Sequence, residues 1–334
     1  MNIFLEGPRW AGMWSEIVQD SLRNIGHKVF LHYHNKKPLS YLLWRGAVPT
    51  VFRHGSRESK ARFASWSNDR VVEFLKKADF DMIFSIQGKI DRTCLHAIRR
   101  DKPDMKILYW IGDVLSPGGE EKIKEIAGEV DGILLSYRGD YENMKKIHPG
   151  KIIYFPFGVS KKYHAVKDIS ARQRKLYASD VSFVGTYYPE RGDVLKYLVE
   201  NSSSKIDIWG RSWRRSGGLE SRGRLPLENA QKVHALSKIS LNIHHVATKN
   251  GFNMKFFEIP ASGGFELCDW QDEIENQGLS GLVATYKTRE EMRDKLDYFL
   301  KNPGSRDSMA RKFRDHVSTH FCYERKLFYL LERI

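Results

Sequence analysis

Apolar positions along the chain fall into two alternating patterns. Short apolar runs at Asn2 to Leu5, Val29 to His32, Asp81 to Ile86, Ile107 to Ile111, Gly132 to Ser136 and Ile152 to Phe155 read as strands. Between them the apolar residues recur at helical spacing, first at Trp14, Ile17, Val18 and Leu22, then over residues 69–78, Cys94–Arg99, Glu120–Ala127 and Gly139–Ile147. Glycine marks the joints, as at Gly7 and Gly12 before the first helix and Gly26 after it. A regular alternation of strand and helix predicts a parallel sheet with right-handed crossovers.

The pattern breaks at Pro156-Phe157-Gly158-Val159, and the polar, basic stretch Ser160–Asp180 reads as a linker. It then restarts with strands at Asp180–Gly185, Lys205–Trp209 and Ile239–Ile243 and helices through Asp193–Glu200 and Glu228–Leu236. After a short strand near Leu282-Val283-Ala284 the chain reads as helical over Arg289–Leu300 and from Ser305 to its end. A length of 334 residues suits two domains, and two α/β halves without a shared period predict two Rossmann-like domains rather than a repeat array.

Candidate chemistry concentrates in the stretch Asn253 to Asp269. Lys255 and Glu258 stand three apart, so a helix puts them on one face. Ser262-Gly263-Gly264 ends that helix and Phe265-Glu266-Leu267-Cys268 resumes as a strand. A carboxylate can accept from ribose hydroxyls, a cation can meet phosphate, and glycines let backbone N–H groups come close, so this face suits a nucleotide. An ordinary surface ion pair followed by a C-cap fits the same residues. In the first half, the strand Ile107–Ile111 delivers Gly112-Asp113 at its carboxyl end, where open α/β sheets hold ligands. Asp113 is therefore a candidate to contact or deprotonate an acceptor hydroxyl, with an N-cap as the plain structural alternative.

Charge adds a partner class. The net charge of +14 implies anionic partners, and residues 23–77 hold twelve Lys/Arg against three acids. Residues 33–68 interleave this charge with Tyr41, Trp44, Phe52, Phe63 and Trp66. Such a surface suits anionic membrane or nucleic acid, while core packing and a plain solvated face are the structural alternatives. Cys94, Cys268 and Cys322 are odd in number and lack C-x-x-C spacing, which predicts neither a disulfide framework nor a zinc site. No apolar run approaches the roughly 18 residues of a bilayer span, and the opening lacks signal-peptide order, so a cytoplasmic protein is expected.

The ordered blocks Val181-Ser182-Phe183-Val184-Gly185-Thr186 with Pro189-Glu190-Arg191, Ile208-Trp209-Gly210, Leu241-Asn242-Ile243-His244 and Asn253 through Phe265 resemble the carboxyl-terminal domain of GT-B glycosyltransferases, in particular the CgeB-like (spore maturation protein) branch with its group 1-type domain. Trp110-Ile111-Gly112-Asp113 and Phe155-Pro156-Phe157-Gly158-Val159 extend the likeness into the first half. The resemblance implies two Rossmann-like domains facing across a cleft: residues 1–160 on the acceptor side, 161–315 holding the nucleotide sugar, and 316–334 forming a helix that packs back on the first domain. It implies a nucleoside-diphosphate sugar as donor, no cofactor and no metal, because side chains and helix dipoles neutralise the leaving diphosphate.

By position, Glu258 matches the second glutamate of the E-x7-E motif and is expected on the donor ribose. Asn250 stands where the first glutamate would be, which bears on how the sugar is held and on the retention of configuration that the motif accompanies. Lys255 and Arg191 are expected on the diphosphate, and with Asp113 form the catalytic set. Gly185, Thr186, Tyr187, Trp209, Gly210, Arg211, His244, Asn253, Gly263 and Gly264 complete the expected donor site. His244 and His245 could reach the sugar from a strand end, with a satisfied structural histidine as the alternative. The expected acceptor is a hydroxyl of an envelope glycan, lipid-linked sugar or protein, with peripheral contact to anionic membrane. The other readings are transfer to modified DNA bases and a GT-B-shaped sugar-nucleotide-binding protein without turnover.

Overall fold

The computed structural model describes residues 1–10, 13–35, 68–164, 166, 168–248 and 250–334. The chain divides into two compact units, Met1–Phe155 with Leu327–Ile334, and Pro156–Lys326.

The first unit carries a six-stranded sheet in the order β2-β1-β3-β4-β5-β6, made of β1 (Asn2–Gly7), β2 (Lys28–Tyr33), β3 (Met82–Ile86), β4 (Lys106–Ile111), β5 (Gly132–Leu135) and β6 (Ile152–Tyr154). Every pairing is parallel, so the carboxyl ends of all six strands share one edge. β3 and β5 are buried along their whole length, as strands covered on both faces are. Phe4, Ile83, Ile107, Tyr109 and Ile133 fill one side of the sheet against helices that include 68–77, Arg92–Asp101 and Pro117–Ile126. Asp91 caps the second of these by accepting from the Cys94 N–H at 2.9 Å. Ser116 caps the third, with Pro117 opening it.

The second unit carries a five-stranded parallel sheet in the order β11-β10-β9-β7-β8, made of β7 (Ser179–Val184), β8 (Ile206–Trp209), β9 (Ser237–Asn242), β10 (Glu266–Asp269) and β11 (Ala284–Tyr286). Both units are therefore parallel α/β layers of the kind the apolar pattern predicts. The stretch Ser160–Asp180 is not the linker that its polarity predicts. It holds the helices Lys161–His164 and Ala171–Tyr177, the latter started by a reciprocal capping box between Ser170 and Gln173. Nor is the chain end one continuous helix. Helix Pro303–His320 stops at Phe321-Cys322, where Val159 N–H donates to Phe321 O and Tyr323 N–H to Val159 O, and Tyr323–Leu331 follows.

The basic, aromatic segment singled out in the sequence lies almost wholly outside the described residues. Among the described residues no helix is long and apolar enough to cross a membrane, and no group of three or more His, Cys, Asp or Glu is gathered as metal ligands.

Candidate functional site

In the second unit the loops after β7, β8, β9 and β10 leave the same edge of the sheet, because all the strands are parallel. Helix Met254–Ala261 starts at that edge too, since it connects β9 back to the start of β10. Asn253 is its N-cap and accepts the Phe256 N–H at 3.1 Å. Asn253 and Asn242 exchange amide hydrogen bonds at 2.8 and 3.2 Å, which ties the helix start to the end of β9. Asn242 also donates to Glu266 at 2.8 Å. Burial pushes the Glu266 carboxyl well above the usual range. It is an internal support for Asn242, in keeping with its position after the glycine pair.

Lys255 and Glu258 share a helix face, as their spacing predicts, and form an ion pair. Glu258 is buried and Lys255 partly exposed. Burial alone would raise the Glu258 pKa, but the Lys255 ammonium beside it, with His164 and His234 as further contributors, outweighs that penalty and holds it below the usual range. The result is a desolvated carboxylate one turn inside a helix whose N-terminus opens at the sheet edge.

Arg191 stands in the first turn of helix Pro189–Asn201. Its Nε donates to Ile243 O at 2.9 Å and its Nη1 to Thr186 O at 3.1 Å, so it ties the loop after β7 to the loop after β9. Its guanidinium also lies over the rings of Phe183 and Tyr188. Tyr187 donates its N–H to Arg211 O at 2.9 Å, and its ring packs on Gly192 and edge-on to Trp213. Gly185 and Gly210 are in direct backbone contact: a Cβ on Gly210, at φ +141°, would stand 1.8 Å from Gly185 O. Trp209 is buried, with Arg222 over its ring and Tyr177 edge-on, while Arg211 is exposed.

His244 follows β9 with its side chain buried. Asp269, at the end of β10, accepts both the His244 N–H at 2.8 Å and Nδ1 at 2.9 Å. Burial opposes the Asp269 carboxylate, yet the His244 contacts more than offset it and hold the pKa below the usual range. An ionised Asp269 makes Nδ1 the donor and turns Nε2 into the working nitrogen of the ring. Nε2 is buried without a partner among the described residues. His245 is half-buried, 3.6 Å from Glu190 and edge-on to Tyr188.

The expected residues therefore separate. Gly185, Thr186, Tyr187, Trp209, Gly210, Arg211, His244, Asn253 and the start of the Lys255–Glu258 helix gather at one sheet edge, with Arg191 bracing two of the loops. Gly263 and Gly264 lie at the opposite end of that helix, before β10 begins. There Gly263 takes φ +84°, and a Cβ on Gly264 would meet His234 O at 2.7 Å, so both glycines serve the chain reversal. Asp113 is in the first unit, exposed just past the carboxyl end of β4, and accepts from Gln87 at 3.0 Å. The cap role is taken by Ser116. Asn250 sits at φ +48° and accepts the Glu273 N–H at 2.7 Å, a left-handed position that suits asparagine better than glutamate. Sequence reasoning did not single out Asp269 as the partner of His244, since only the parallel pairing of β9 with β10 sets the two together.

Residues 191–332 match the family model described as glycosyl transferase-like, under half of the chain. No curated protein matches the chain at a significant level. Among solved structures, the sucrose-phosphate synthase of Thermosynechococcus elongatus superposes with a TM-score of 0.70 at 11% identity, over 100% of this chain and 98% of that one. A trehalose-6-phosphate synthase, OtsA, gives 0.70 at 12%, over 100% and 99%. Anabaena HepE in complex with UDP gives 0.66 at 12%, over 100% of both chains. These likenesses extend over the full chain and identify the fold as GT-B.

Proposed function

We propose that this chain is a glycosyltransferase that moves a sugar from a nucleoside diphosphate to a hydroxyl acceptor. The observation that carries the reading is that the glycosyl transferase-like match spans Arg191, His244, Asn253, Lys255 and Glu258, residues that helix starts and a strand end bring to one edge of the second sheet. In this reading Glu258, kept ionised by Lys255, accepts from the ribose hydroxyls. Lys255 and the first turn of its helix face the diphosphate, where developing charge is stabilised by fixed donors. Arg191 shapes the loops and adds positive potential. His244 Nε2, with its tautomer set by Asp269, accepts from a sugar hydroxyl.

Asp113 in the first unit is the proposed contact for the acceptor hydroxyl, and an envelope glycan, lipid-linked sugar or protein is the proposed acceptor class. Anabaena HepE has been crystallised with UDP-glucose as well as with UDP, which supports uridine nucleotides as the first donors to try. The E-x7-E likeness at Glu258 supports retention of configuration. The anomeric configuration of the product by NMR tests that point, and an inverted product would overturn it.

A thermal-shift and calorimetric panel of UDP, GDP, dTDP and CMP with their sugar conjugates tests the donor site. A ligand at 100 times its dissociation constant stabilises the fold by about 2.7 kcal/mol. Glu258→Gln should weaken the binding nucleotide at least about tenfold, an effect of about 1.4 kcal/mol. A flat panel would remove the reading.

A further inference from the structure

At the far end of helix Met254–Ala261, away from Asn253, the second unit holds a cavity of about 420 Å³. Its polar lining is Ser160, His164, Ser262, Arg314 and Ser318, and its described lining includes no carboxylate side chain. The side-chain donors of this lining include Arg314 and Ser318, whereas the Ser262 hydroxyl hydrogen is taken by Glu258 O. Arg314, on helix Pro303–His320, is about half exposed, with its Nε 3.7 Å from Asp315 and its Nη groups without a hydrogen-bond partner among the described residues. Ser262 donates to Glu258 O at 2.7 Å, which joins the cavity wall to the segment that carries the buried carboxylate.

His164 decides the sign. It is 2% exposed. Burial lowers its pKa, against the opposite pull of the Glu258 and Glu324 carboxylates outside the lining, so the imidazole is neutral at neutral pH. Nδ1 lies 3.0 Å from both the Ser160 N–H and Ser160 O. Because Ser160 O already accepts the His164 backbone N–H at 2.9 Å, we assign Nδ1 as the acceptor of the Ser160 N–H. Nδ1 is therefore the bare nitrogen and Nε2 carries the hydrogen. That Nε2–H is buried without a partner among the described residues. A buried donor left in this way is open to an acceptor oxygen.

We propose that this cavity is a second ligand site, separate from the donor site, which binds a phosphate-type anion, either the free ion or the phosphoryl group of a small phosphate ester. Arg314 meets its charge, and Ser318 and His164 Nε2–H donate to its oxygens. The site stands on its own lining and does not depend on what the opposite end of the helix binds.

Calorimetric titration of the full chain with inorganic phosphate and with glucose 1-phosphate tests it. Binding at one site per chain is expected for at least one probe. Arg314→Gln, at an exposed position, should lose about tenfold or more, equivalent to about 1.4 kcal/mol. Ser318→Leu, which fills the cavity, should abolish binding. Tighter binding of glucose 1-phosphate assigns the site to a phosphate ester, and equal or tighter binding of inorganic phosphate assigns it to the free ion. No binding of either probe at millimolar concentration, or unchanged affinity in Arg314→Gln, would each overturn the proposal.

Discussion

Glu258 is an anion in a place where burial alone would make it an acid, and Lys255 is the first cause of the difference. Removing one partner of such a pair leaves a buried charge uncompensated, which costs about 3–5 kcal/mol for a fully buried pair. Lys255 is partly exposed, so Lys255→Ala should lower unfolding stability by roughly 1–3 kcal/mol, less than that full cost. Lys255→Arg should restore most of it, and urea denaturation measures both. A second expectation concerns Asp269. Asp269→Asn removes the anion that makes His244 Nδ1 a donor, so turnover should fall about tenfold or more while nucleotide affinity, by calorimetry, changes little. Equal losses in both would make the pair a structural support only. The Lys255–Glu258 pair was legible in the sequence because helical spacing alone puts the two together. The Asp269–His244 pair was not, because only the parallel pairing of β9 with β10 brings residues 25 positions apart into contact.

At the scale of elements, legibility followed the same division. Strands and helices that repeat an apolar period were readable to within a few residues. What polarity hid was the helix Ala171–Tyr177, which is exposed at most of its positions and owes its start to the Ser170–Gln173 capping box. Glycine spacing likewise pointed to the right residues with the wrong job at Gly263 and Gly264, since a left-handed chain reversal and a ligand contact demand the same side-chain absence. Gly210 is where that absence is strictest. Gly210→Ala puts a methyl group into Gly185 O, a backbone atom that cannot turn aside, and should cost at least about 3 kcal/mol or abolish folding of the second unit, by far-UV circular dichroism and melting.

Helix Leu227–Leu236 carries a pH-dependent element of the same unit. Burial draws the His234 pKa down to about 3 from the ordinary 6.5, with the Lys255 ammonium a smaller cause in the same direction. The unfolded chain therefore binds the proton first, and stability is complete above about 6.5 and lost as pH falls from there toward 3, by up to about 1.4 kcal/mol per unit. His234→Gln, which cannot titrate, should show a shallower loss between pH of about 7 and 5 in urea melts.

The whole molecule is threaded twice between its units, at Phe155 to Pro156 and at Lys326 to Leu327. Lys326 marks both crossings. Its Nζ donates to Phe157 O at 3.0 Å and also to Pro156 O, so the chain that leaves one unit is tied to the chain that returns. Burial lowers the Lys326 pKa to about 7. Lys326→Met keeps the bulk of the side chain but deprives two carbonyl oxygens of their donor, which should cost roughly 1–3 kcal/mol. The pH dependence separates this contact from simple packing. Because the folded pKa lies below the ordinary 10.5, the unfolded chain holds the proton over the interval from about 7 to 10.5, and the stability that Lys326 contributes grows with pH there, by at most about 1.4 kcal/mol per unit. The difference between parent and Lys326→Met should therefore widen between pH of about 7 and 9 in denaturant melts, and a difference that stays constant would show that Lys326 is not buried enough to titrate with folding.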